Sequence, residues 1–142
     1  TFNISSLEIN EKETRMQIDL RIPVTVDRNQ LLKKLNENVA PYELKYAPFD
    51  YVAPLYVPKD SKLIQTLMAV YKDQTGDNDA TPQISGGATF ARTMHNCVAF
   101  GGMLPTTPDY MHQANEQWPL PDMFKAMEIY AQAIKKLCVD SE

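Results

Sequence analysis

Apolar and polar positions alternate in two stretches near the beginning of the chain. Apolar residues take every second position over residues 16–22, with charged or polar residues between them, as on a half-buried antiparallel strand. Residues 2–9 alternate in the same way, with a slip at Ser5 and Ser6 that a β-bulge would explain. The pattern predicts two antiparallel strands joined by a turn at the polar residues 11–13, and Pro23 either ends the second strand or places it at the edge of a sheet.

Helical spacing replaces the alternation after Asp27, a residue type favoured as an N-cap. Apolar residues recur at positions 31, 32, 35 and 39, and Pro41 should stop this helix. Residues 42–49 then fit a returning strand. The predicted order β-β-α-β is half of a ferredoxin-like sandwich, and the prolines within residues 48–58 mark the best domain boundary.

The second half of the chain predicts two further helices and a short strand. Asp60 or Ser61 should cap the first helix, and Gly76 should end it. Residues 97–100 are a short apolar run that favours a buried strand. Pro121 should open the last helix. The residues expected on the apolar stripe of that helix are Phe124, Met127, Ala131, Ile134 and Leu137. The fold class is therefore α+β, with an α/β segment at the end.

Composition narrows the class of protein. The 142 residues are 44% apolar and 23% charged, which excludes a disordered tail and a coiled coil. A net charge of −4 gives no reason to expect nucleic acid or an anionic membrane as a partner. No stretch is long and apolar enough to span a bilayer, and the first residues do not form a secretory signal. Two distant cysteines fit reduced thiols in a cytoplasmic protein.

Three features could carry chemistry, and each has an ordinary structural explanation as well. His112 lies in a polar loop with Glu116, where an imidazole could bind a metal and a carboxylate could orient it, but a lone loop histidine is more often a surface residue. The loop at Gly86 and Gly87 could bring backbone N–H groups to a ligand, or could be a simple turn. Arg21 could bind a carboxylate through both of its nitrogens, or could be a surface residue. The roles of His95 and Arg92 stay open.

The ordered motifs, taken together, resemble one known family. These motifs are LRIP at residues 20–23, ISGGATFAR at 84–92, NCVAFG at 96–101, HQANE at 112–116 and IYAQAI at 129–134. They resemble the C-terminal end of PepV-type dipeptidases, in the carnosinase and aminoacylase superfamily of dinuclear zinc metallopeptidases. The resemblance covers nearly the whole chain. It implies a lid domain over residues 1–50 and part of a catalytic domain over residues 51–142.

The same resemblance assigns roles to individual residues. It implies that His112 is the last metal ligand and that Arg21 binds the free carboxylate of a dipeptide. Gly86, Gly87 and Thr89 would line the substrate, and Glu116 would support the metal site. In the family two zinc ions, which manganese or cobalt could replace, activate the attacking water and polarise the scissile carbonyl.

The family's remaining metal ligands and its catalytic glutamate lie upstream of the segments matched here, and Ile22 stands where the family has tyrosine. We therefore expect a C-terminal fragment of a zinc dipeptidase, inactive alone and paired with its N-terminal half or with a second copy in a homodimer. The alternative is a non-catalytic binding or dimerisation module on the same scaffold. A ferredoxin-like sensor would require the motifs to be coincidental.

Overall fold

The computed structural model describes residues 1–140, which form two β-strands and three α-helices. In chain order they are β1 (Phe2–Ile9), β2 (Thr14–Leu20), α1 (Arg28–Val39), α2 (Lys62–Thr75) and α3 (Leu120–Cys138). The predicted α+β class is confirmed. The chain divides into two compact units: the first holds Thr1–Tyr56 and Gly86–Ala88, and the second holds Val57–Ser85 and the chain from Thr89 onward. The predicted lid and catalytic domains at residues 1–50 and 51–142 stay a prediction.

Strands β1 and β2 form an antiparallel hairpin, as the alternating pattern predicts. The register places Leu7 opposite Met16 and Ile4 opposite Ile18, so the apolar side chains of both strands share one face. The register shifts at Ser5, where the sequence predicted a bulge, and the Ser5 hydroxyl donates a hydrogen bond to a carbonyl of β2 at 3.2 Å. Most of this apolar face is exposed; Leu7, for example, has 56% of its surface accessible.

Helix α1 begins at its predicted cap and ends before its predicted stop. The Asp27 carboxylate accepts the Gln30 N–H at 2.8 Å, which satisfies one of the free amides of the first turn. After Val39 the chain forms one short 3₁₀ turn, Ala40–Tyr42. No Cα atom of α1 comes within 8 Å of either strand of the hairpin.

The prediction of a third strand over residues 42–49 is wrong, because this segment is irregular. Glu43 adopts a left-handed conformation with φ of 60°, which breaks the extended run. The Tyr46 N–H donates to the side chain of Asn36 on α1 at 2.8 Å and not to a neighbouring strand. The unit therefore contains β-β-α and lacks the returning strand within the described residues.

The second unit is built on the packing of α2 against α3. Ser61, one of the two predicted caps, accepts the Ile64 N–H, and Gly76 ends α2 with φ of 74°. Four buried residues form the core cluster between the two helices: Leu67 and Val70 of α2, and Ile129 and Ala133 of α3. None of the helices within residues 1–140 has the length and apolarity that a membrane crossing requires.

Most of the predicted apolar stripe of α3 lies on the wrong face. Phe124, Met127, Ala131 and Ile134 are exposed, and of the predicted residues only Leu137 packs, half-buried, onto the core. The buried residues of the helix are Ala126, Ile129 and Ala133. The helix carries apolar residues on both sides. The pattern alone could not decide between the two faces.

The strand predicted at residues 97–100 does not form either. This segment is irregular, and Val98 and Phe100 pack half-buried onto the α2–α3 core. Phe100 meets the ring of Tyr130 edge to face, with 6.3 Å between the ring centres. The apolar run is thus part of the core, as expected, but without a neighbouring strand to pair with.

Candidate functional site

Arg21 follows β2 directly, and its backbone continues the hairpin. Its N–H donates to the carbonyl of Thr1 at 3.1 Å, and its own carbonyl accepts from the Thr1 amino group at 2.8 Å. This pair of bonds fixes the backbone from which the side chain extends. The side chain is exposed, and no carboxylate of residues 1–140 lies within 4.0 Å of the guanidinium.

The segment Gly86–Ala88 belongs to the same compact unit as Arg21. A Cβ atom placed on Gly86 would lie only 3.0 Å from Nη1 of Arg21. The guanidinium therefore rests against the backbone of the glycine loop. The structure thus brings together Arg21 and Gly86, two of the residues that the resemblance assigns to substrate binding, and Gly87 is the next residue of the same loop.

Thr89, the third residue predicted for the substrate loop, belongs to the second unit. It has an extended backbone and precedes the short 3₁₀ helix Phe90–Thr93, and its carbonyl accepts the Arg92 N–H at 3.2 Å. The structure does not group Thr89 with Arg21 in one compact unit. Its role in substrate binding remains a prediction.

His112 lies in the long irregular segment that leads to α3. Its φ of 61° is left-handed, and so is that of Asn115, so this loop follows a constrained path. Asp109 shapes the turn before it: its carboxylate accepts the Met111 N–H at 3.0 Å, and its carbonyl accepts the Gln113 side-chain amide at 2.8 Å. The imidazole is exposed.

Glu116 lines a cleft of about 380 Å³ in the second unit. Apolar and aromatic side chains form most of its wall, among them Met103, Met111 and Trp118. Met111 is the immediate neighbour of His112, so the predicted supporting carboxylate and the predicted metal ligand belong to the same loop. Within the described residues, the hydrogen bonds of this loop do not include one between the side chains of Glu116 and His112.

The described residues do not fit a complete zinc centre. Nowhere in residues 1–140 do three His, Cys, Asp or Glu side chains converge as metal ligands would. A catalytic zinc requires three protein ligands. His112 is therefore at most one donor of such a site, and Cys97 and Cys138 are both free thiols.

One buried polar contact was not predicted from the sequence. Thr107 is only 9% exposed, and its hydroxyl donates to the Asp122 carboxylate at 2.8 Å while accepting the Leu104 N–H at 3.0 Å. This contact ties the beginning of the His112 loop to the first turn of α3. The only local signal was a hydroxyl residue three positions after Leu104, which is typical of a side-chain-capped turn.

Two tyrosines of this unit have perturbed acidity. Burial raises the pKa of Tyr130, whose ring lies against Gly101 and Gly102. The pKa of Tyr71 is also raised, mainly by burial and further by the negative charge of Asp77. Both phenols therefore hold their protons more tightly than a free tyrosine does.

Comparison with known proteins places the chain among peptidases. The model of the "Peptidase family M20/M25/M40" matches residues 5–136. A protein of Staphylococcus saprophyticus described as a "putative dipeptidase" is 34% identical over 131 residues, which is 92% of this chain and 28% of the relative. A relative from Staphylococcus haemolyticus with the same description is 32% identical over 141 residues, 99% of this chain and 30% of its own length. The chain thus spans less than a third of these relatives.

Proposed function

The chain belongs to peptidase family M20/M25/M40, and on that premise we propose that it is the carboxylate-binding and last metal-binding part of a zinc-dependent dipeptidase. The relatives that match this chain almost from end to end are each described as a "putative dipeptidase". Their whole length is more than three times the part that this chain matches, so the intact activity would depend on more protein than residues 1–142.

The observation that carries this proposal is the position of Arg21 against the glycine loop. A guanidinium offers two parallel N–H donors that match the two oxygens of a carboxylate. Because Gly86 carries no side chain, the guanidinium can lie close against the loop backbone, and the face turned away from Gly86 is where a carboxylate would bind. The free α-carboxylate of a dipeptide fits such a site. A dipeptide carries this carboxylate one residue from its only peptide bond, so we expect dipeptides as substrates and not long peptides.

The metal part of the proposal depends on His112. Zinc, when bound, would polarise the scissile carbonyl and activate the attacking water. His112 would supply one ligand, with Glu116 in the same loop as a supporting carboxylate, and the other ligands would come from the N-terminal half. We expect the chain alone to be inactive because its donor set is too small for the metal centre.

The partner of this chain would be that N-terminal half or a second copy. The apolar face of the hairpin supports an association, because Phe2, Ile4 and Leu7 are each more than half exposed. A clean monomer of this chain in size-exclusion chromatography at high concentration would contradict association with a second copy. The two reduced thiols, Cys97 and Cys138, lead us to expect a cytoplasmic protein.

A second function is favoured by the shortage of metal donors within residues 1–140. The chain would then be a non-catalytic binding or dimerisation module that uses the same scaffold. The two functions differ in one assay: hydrolysis of a dipeptide, its amide and a tripeptide by a protein of the relatives' full length that carries this chain. A dipeptidase cleaves the dipeptide and discriminates against the amide, whereas a binding module cleaves none of the three.

A further inference from the structure

We propose that Gly86 is a positioning residue for Arg21: the absent side chain at position 86 is what allows the guanidinium to lie where it can take a carboxylate. This inference rests on the proposed function for the identity of the ligand. It assigns to Gly86 a steric role that acts through Arg21, separate from any contact between the loop backbone and the substrate.

The contact is too close for a side chain at position 86 unless the guanidinium moves. An added Cβ would be 3.0 Å from Nη1 of Arg21, tighter than nearly all real contacts of a Cβ atom. Nη1 is the far end of a flexible side chain, so the guanidinium would give way by a few tenths of an ångström and the fold would survive. A bidentate carboxylate contact depends on the plane and position of the guanidinium, so even a small displacement weakens it.

The backbone gives no other reason for a glycine at this position. The glycines with left-handed backbones are Gly76, Gly101 and Gly102, and Gly86 is not among them. An alanine can therefore adopt the backbone conformation of Gly86 without strain, and it would also reduce the freedom of the unfolded chain. Gly86→Ala should keep or raise the stability of the protein while it displaces Arg21, a combination that a merely structural glycine would not show.

The first experiment needs no enzymatic activity. In the 142-residue chain, the ¹⁵N–¹H signal of the Arg21 side-chain Nε group reports the surroundings of the guanidinium. We expect Gly86→Ala to move this signal and to leave the melting temperature unchanged or higher. Gly76→Ala is the matched control, because it adds a Cβ in open space at a left-handed position; it should lower the melting temperature and leave the Arg21 signal in place. An unmoved Arg21 signal in Gly86→Ala overturns the inference.

The second experiment is a double-mutant cycle on dipeptide hydrolysis in the full-length protein. We expect Gly86→Ala to raise KM about 3- to 10-fold with kcat nearly unchanged, since a sub-ångström misplacement costs less than the about 100-fold of a full ångström. In the Arg21→Ala background the same substitution should change KM less than about 2-fold, the limit of additive behaviour.

The outcomes separate the two claims. An equal effect of Gly86→Ala in both backgrounds contradicts the positioning role and leaves the proposed function standing. An Arg21→Ala protein with an unchanged KM contradicts the assignment of Arg21 to the carboxylate, while the shift of the Arg21 signal in the first experiment still tests the steric contact.

Discussion

The hydroxyl of Thr107 and the carboxylate of Asp122 are joined by a hydrogen bond of 2.8 Å that links the loop carrying His112 to the first turn of α3. Pro119, at the N-cap of α3, makes no side-chain capping hydrogen bond, and Asp122 is the acidic residue of the first turn. The same hydroxyl accepts the Leu104 N–H at 3.0 Å. The buried side chain of Thr107 thus stabilises the turn that begins at Leu104 and holds it next to α3.

Replacing Thr107 by valine should destabilise the protein. The substitution keeps the shape of the side chain but leaves the Asp122 carboxylate and the Leu104 N–H without this partner, which costs about 1–3 kcal/mol. Thr107→Ser keeps the hydroxyl and should recover most of the loss. Denaturant unfolding of the three proteins measures the difference. Equal stability of the valine and serine variants would show that the bond contributes nothing.

Gly101 and Gly76 form a natural pair for separating strain from steric clash. Both have left-handed backbones, with φ of 72° and 74°, so alanine at either position should cost about 1–2 kcal/mol. At Gly101 the new Cβ would also lie 2.8 Å from the Tyr130 ring, whereas nothing lies within 4 Å at Gly76. We expect Gly101→Ala to lose about 1–3 kcal/mol more of unfolding free energy than Gly76→Ala. Similar losses at both positions would contradict the packing of Tyr130 against this loop.

The raised pKa of Tyr130 predicts how stability changes in alkali. Burial raises this pKa above the ordinary value of 10.0, so the folded protein holds the phenol proton more tightly than the unfolded chain. The resulting stabilisation is complete below pH about 10 and is lost as the pH rises through the folded-state pKa.

We expect the free energy of unfolding to fall above pH about 10, and Tyr130→Phe to remove part of that fall. Tyr71 contributes in the same direction, since its pKa is also raised, so some dependence on pH should remain in the Tyr130→Phe protein. Unfolding curves at several alkaline pH values provide the measurement. Identical slopes for the parent and the variant would contradict the burial of the Tyr130 hydroxyl.

Arg21→Ala should weaken dipeptide binding more than it slows catalysis. Loss of hydrogen bonds between a guanidinium and a carboxylate costs about 1.5–3 kcal/mol, which corresponds to a KM about 10- to 150-fold higher. Arg21→Lys keeps the charge but lacks the planar pair of donors, so its KM should lie between those of the parent protein and Arg21→Ala. The amide of the same dipeptide is the control, because it lacks the carboxylate. A KM for the amide that rises as steeply as that for the dipeptide would exclude the assigned role.

Features of this fold that depend only on residues close together in the sequence were predictable. The Asp27 and Ser61 caps, the bulge at Ser5 and the end of α2 at Gly76 follow from local chemistry, and the structure has all four. The prediction of a strand at residues 42–49 was wrong. The Tyr46 N–H donates its hydrogen bond to the Asn36 side chain and not to a neighbouring strand. Strand formation depends on a distant partner, which a local pattern cannot reveal.

The same distinction holds for the core and for the candidate site. Helix α3 is apolar on two faces, and only the position of α2 decides that Ile129 is buried and Met127 is not. Arg21 and Gly86 were singled out by motif, but their contact joins residues far apart in sequence. The Thr107–Asp122 bond was missed for the same reason, since 15 positions separate its two residues.

The central claim is that this chain brings a metal ligand to a dipeptidase, and the chain's two histidines allow a direct test. The measurement is bound zinc and dipeptide hydrolysis in a protein of the relatives' full length, with His112→Ala compared against His95→Ala. We expect His112→Ala to lower the bound zinc and to reduce hydrolysis beyond the about 10- to 100-fold that the loss of a ligand's outer partner costs. His95→Ala should leave both unchanged. Full zinc content and an unchanged rate in His112→Ala would contradict the account.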